Sequence, residues 1–130
     1  MVNKLEQEAN NWMKERKMMS SITATEYQIR AAETAIFPKE KALEYITLGL
    51  CGEAGEISNK VKKLIRDGAD REDYNEKLIQ IGAELGDVLW YCAMLAKEVD
   101  MNLGSIMDSN LSKLADRKAR NKLGGDGDNR

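Results

Sequence analysis

Two acidic pairs, each three positions apart, fall inside long proline-free runs: Glu53 and Glu56 in LGLCGEAGEISNKVKK (48–63), Glu84 and Asp87 in AELGDVLWYCAMLA (83–96). Three-residue spacing puts each pair on one face of a helix. The run after Asp87 is apolar all round, which predicts a buried helix whose acids need a partner or a metal. Two such helices packed face to face would gather four carboxylates. With no histidine in the chain, that is an all-oxygen site suited to Mg²⁺, or Mn²⁺ in its place, rather than to zinc or copper. The competing reading is a pair of solvated acidic faces, ion-paired to nearby lysines such as Lys60 and Lys113.

Gly49, Gly52 and Gly55 recur every third residue through the first run, each costing a helix about 1 kcal/mol relative to alanine. Gly49 and Gly52 fall on the side of Glu53 and Glu56, which predicts close helix packing or close approach of a ligand. Lys60, four residues after Glu56, either pairs with that acid or reaches a phosphate. Tyr91, four residues after Asp87, is on the acid face. Its hydroxyl reaches a phosphate or a coordinated water, or is a core tyrosine bonded to an acid.

The residues GLCGEAGEISNKVKK and ELGDVLWYCAMLA together resemble the MazG-type, all-α nucleoside triphosphate pyrophosphohydrolase family. The family signature is E-x-x-E, a spacer (here 57–83), then E-x-x-D. The likeness extends from about Tyr27 to Arg117 and takes in an N-x-x-K-x-x-x-R pattern at Asn110, Lys113 and Arg117. It implies an all-α, four- to five-helix bundle that is oligomeric, a homotetramer or else a dimer. It also implies Mg²⁺-dependent hydrolysis of a (deoxy)nucleoside triphosphate to the monophosphate and pyrophosphate. Metal ligands would be Glu53, Glu56, Glu84 and Asp87, with Glu53 or Glu56 as the catalytic base. Substrate contacts would come from Lys60, Tyr91, Asn110, Lys113 and Arg117, and base contacts from Tyr27 and Gln28, which are otherwise core or interface residues. Basic side chains on one helical stripe suit triphosphate oxygens, arginine bidentately, although a solvated rim has the same pattern. An alarmone or modified nucleotide is the alternative substrate, and a non-catalytic helical interaction module the alternative class. A redox di-metal bundle relies on E-x-x-H pairs, which this chain lacks.

The remaining chain divides by composition. Residues 1–22 form an N-terminal arm in which Val2, Leu5, Ala9, Trp12 and Met13 line one face of a helix over 3–19. Residues 23–121 form the helical domain. Thr23 and Glu26 make a capping box opening a helix to about Ala35, which Pro38 ends. The later helices are expected over about 39–66, 71–100 and 103–121, the last facing the bundle with Ile106, Met107, Leu111 and Leu114. Residues 122–130, glycine-rich and polar, are expected to be a disordered tail. Cys51 and Cys92 read as small buried hydrophobes. The net charge of −2 speaks against a nucleic-acid partner. No segment reads as a bilayer span or secretory signal, so no membrane partner and a cytoplasmic location are expected.

Overall fold

The computed structural model describes residue 7, residues 22–68 and residues 70–127, apart from the side chains of 71 and 72. The expected arm helix over 3–19, Ala69 in the turn, and residues 128–130 of the tail lie outside the described residues. Those described form four α-helices and one 3₁₀ turn, with no strand.

Thr23 opens α1 (Ala24–Ala32) with the expected box. Its Oγ1 accepts from the Glu26 amide at 3.1 Å, and the Glu26 carboxylate accepts from the Thr23 amide at 2.8 Å. That backbone donor, with the Thr23 hydroxyl, holds the Glu26 carboxyl below its usual range. The helix stops at Ala32 rather than Ala35 because Glu33, Thr34 and Ala35 take tighter turn bonds to Arg30, Ala31 and Ala32. Pro38 then starts a 3₁₀ turn (Lys39–Lys41) that leads directly into α2 (Ala42–Asp67). Gly68, at φ 65°, closes α2 in the left-handed region that glycine enters without strain.

Asp70 caps α3 (Arg71–Glu98) by accepting from the Asp73 amide at 2.9 Å. Its end falls short of Asp100, which sits at φ 59° while Met101 N–H bonds Ala96 and Asp100 N–H bonds Lys97. This Schellman closure places a short polar residue where glycine is usual. Asn102 immediately caps α4 (Leu103–Ala119) through the Ser105 amide, 3.1 Å. After Asn121, residues 123–127 make only bends.

The short α2–α3 turn makes an antiparallel hairpin, and α1 and α4 pack over α3. Ala31, Ala42, Ile46, Ala93 and Met94 form the buried centre, flanked by Tyr27, Phe37, Trp90, Tyr91 and Leu103. Among the described residues, only Ile46 and Met94 are large and wholly enclosed. Much of the apolar surface therefore remains in water: Leu48 is 72% exposed, Ile65 82% and Ile79 75%. Met107, Leu111 and Leu114 do not face a bundle as expected but are exposed, while Ile106 is partly buried. The reason is that α4 lies on α1 and α3 and does not reach α2.

Two further expectations are corrected. Cys51 is exposed on α2; Cys92 is partly buried, which pushes its thiol pKa up. And 73–98 of α3 holds an 18-residue window with a mean hydropathy of 1.3, long and apolar enough by length and composition to cross a bilayer. Its charges are spaced widely enough to leave a long apolar window around the acidic pair.

Candidate metal centre and active site

The helical stripe Tyr45–Gly49–Glu53 on α2 faces Tyr91, Asp87 and Glu84 on α3. Its register is fixed by one close approach: a Cβ added at Gly49 would clash with the edge of the Tyr91 ring. Gly49 thus serves helix packing, whereas a Cβ at Gly52 or Gly55 meets nothing within 4 Å. Seating the Tyr91 ring in that notch brings the acids one turn further along into apposition. Carboxylate oxygens of Glu53, Glu84 and Asp87 lie within 4.8 Å of one another; the first two side chains are partly buried and the third is exposed.

Electrostatics follow from that crowding. Burial pushes the Glu53 carboxyl above its usual range, and the charges of Asp87 and Glu84, a hydrogen bond with Glu84 and the charge of Glu56 push it further. Every charged neighbour that moves Glu53 is another acid. Three hard oxygen donors from two helices, under mutual repulsion, fit a divalent cation such as Mg²⁺ or Mn²⁺.

Glu56 stands outside the trio and is exposed. Lys60 does not pair with it: the ammonium crosses to α3 and sits 3.1 Å from Glu84 Oε1. The lysine stem spans the interhelical gap at this level, so the acid on the facing helix competes successfully with the one on its own.

Aromatic side chains wall the site towards α1. Tyr91 is hydrogen-bonded to Tyr45, and its hydroxyl pKa is raised by burial, then by Tyr45, Glu53 and Asp87. Its ring meets Trp90 edge-on at 5.0 Å; Phe37 stacks on Tyr45 at 5.5 Å and meets Trp90 edge-on at 6.4 Å. Trp90 Nε1 donates to Thr34 Oγ1 at 2.8 Å. Tyr45 and Phe37 are absent from the sequence-derived site. The signal for Tyr45 was its position four residues before Gly49; Phe37 carries none, since it lies in the irregular link after α1.

The two residues expected to contact a base divide. The Tyr27 hydroxyl donates to Gly86 O at 3.4 Å, and burial and then the Asp87 charge raise its pKa, so it borders the acids. Gln28 is occupied as a brace: Nε2 donates to Met101 O at 2.9 Å and Ala93 O at 3.4 Å, and Oε1 accepts from the Leu103 amide at 2.9 Å. The brace ties α1 to the α3–α4 turn and engages both polar ends of Gln28.

The α4 stripe is not gathered with Glu53 and Glu56, because α4 does not pack on α2. Asn110 and Lys113 line a shallow groove with Met101, Ile106 and Ser109, and Arg117 is buried.

A helical hairpin that sets E-x-x-E opposite E-x-x-D brings three of the four carboxylates together as a candidate metal centre in an all-α fold. Residues 41–120 match the MazG nucleotide pyrophosphohydrolase domain, and the chain belongs to that family. It is similar to the Gene 37 protein of Mycobacterium phage L5, with 48% identity over 110 residues, 80% of this chain and 96% of that protein. No solved structure matches it.

Proposed function

We propose that the chain hydrolyses nucleoside triphosphates, deoxynucleotides first among them, to the monophosphate and pyrophosphate, for nucleotide-pool control in the cytoplasm. The observation that carries this reading is the convergence of Glu53, Glu84 and Asp87 within 4.8 Å inside a family-matched hairpin. These three carboxylates would hold Mg²⁺, or Mn²⁺. Such an ion supplies charge neutralisation on the phosphates and helps to orient them. Glu56, one turn beyond Glu53 and outside the trio, is the carboxylate left to accept a proton from the attacking water. The Tyr91 and Tyr27 hydroxyls border the acids and orient phosphate or water there. Lys113 on α4 would meet phosphate oxygens, with Asn110 beside it, whereas the buried Arg117 would brace that helix.

Oligomerisation belongs to this reading. The exposed leucines and isoleucines of α2, α3 and α4 need cover, which a homotetramer, or a dimer, supplies. That cover is protein rather than lipid, because Glu84 and Asp87 in the middle of the apolar α3 are costly in a bilayer.

Calorimetric titration with Mg²⁺ and a non-hydrolysable triphosphate tests the metal centre. Tight joint binding, lost in Asp87→Asn, is expected. A bundle with a purely structural role binds no magnesium in either form.

A further inference from the structure

Lys60 and Glu84 form an interhelical pair whose side chains are only 23% and 21% exposed. Glu84 also belongs to the three-carboxylate cluster. One carboxylate therefore faces two cations, a lysine tethered to α2 and any divalent ion seated among the acids. An ammonium held on Glu84 would lie within a few ångströms of that ion, where like charges repel strongly at the partly covered surface of a protein. The lysine stem is long and rotatable, so its head has other places to go.

We infer that Lys60 is a place-holder for the metal. Without a divalent ion its ammonium neutralises Glu84 and keeps α2 and α3 in register. When the ion binds, the ammonium leaves Glu84 and turns to the phosphate oxygens of the substrate. Metal loading and phosphate capture are thereby coupled, and the coupling is reciprocal. This inference rests on the metal-binding reading of Glu53, Glu84 and Asp87.

The test is calorimetric titration of the full chain with Mn²⁺ alone, comparing the unaltered protein, Lys60→Met and Lys62→Met. Lys62 lies on the same helix but bonds Asn59 at 3.1 Å, so its loss makes the same charge change away from Glu84. Lys60→Met should bind Mn²⁺ about fivefold more tightly, the scale of a partly exposed ion pair, and Lys62→Met should match the unaltered protein. Equal or weaker binding by Lys60→Met, or equal tightening by Lys62→Met, overturns the inference. Absence of Mn²⁺ binding in both the unaltered protein and Lys60→Met would overturn the metal centre itself and the place-holder with it. With Mn²⁺ saturating, inorganic triphosphate should bind Lys60→Met several-fold more weakly; unchanged binding contradicts the transfer to phosphate. Lys60→Gln makes the same comparison if Lys60→Met fails to fold.

Discussion

A single missing side chain sets the geometry of the acid cluster. The Tyr91 ring occupies the notch at Gly49, so Gly49→Ala should destabilise the protein by about 1–3 kcal/mol, as overpacking does. Gly52→Ala, whose Cβ meets nothing, should raise stability by up to about 1 kcal/mol through helix propensity. Denaturant melts of the two variants check the contrast, and equal effects would mean that the notch is not tight. Glu53 makes a pH prediction of definite sign. Its folded pKa is raised, so its stabilising contribution is complete below the ordinary glutamate value of 4.5 and is lost as pH rises through the raised value. Asp67 and Asp116, whose pKa values are lowered, act in the opposite direction. The informative quantity is therefore the difference between the unaltered protein and Glu53→Gln. In metal-free buffer the variant should gain relative melting temperature as pH rises from about 4.5; a pH-independent difference contradicts the account.

At the scale of elements, helices were legible wherever local chemistry decides them. The Thr23–Glu26 box, the Asp70 cap, the Gly68 stop and the break around Pro38 are written in adjacent residues, and each expected start lies close to the observed one. Ends written in side-chain-independent geometry were not: α3 stops short of Asp100 because an aspartate takes the left-handed position. The acid trio was legible as residue types, since spacing fixes faces. Which of four acids converge depends on helix register, and that depends on the packing of Gly49 against Tyr91. The same limit misled the reading of Lys60, where sequence offers the i, i+4 partner and only the hairpin offers Glu84. Gln28 is the plainest case, because its three partners are 65 to 75 residues away. Gln28→Ala should cost about 1–3 kcal/mol by stranding partly buried backbone groups, measured by thermal melting. Unchanged stability with altered base preference would restore it to a base-contact role.

Over the whole molecule, the balance of buried and exposed apolar surface is what a lone subunit explains least well. A centre built around Ile46 and Met94 leaves Leu43, Leu48, Ile65, Ile79, Leu85, Leu89 and Leu111 exposed, and the proposed oligomer would cover part of them. Multi-angle light scattering at micromolar concentration should give the mass of a tetramer or a dimer. A stable monomer of 14.6 kDa would remove the oligomer from the account. Sequence pointed to a partner through the family resemblance and the modest core, but not to α4, whose apolar positions face outward for want of contact with α2.

The most direct measurement is pyrophosphate release from a panel of eight nucleoside triphosphates and one guanosine polyphosphate, with and without Mg²⁺. Glu56→Gln, with its fold and oligomeric state verified, serves as the control. The account predicts metal-dependent release of pyrophosphate and monophosphate from at least one triphosphate, reduced by about 10²-fold or more in the variant. No release from any triphosphate, or wild-type turnover by Glu56→Gln, would contradict it.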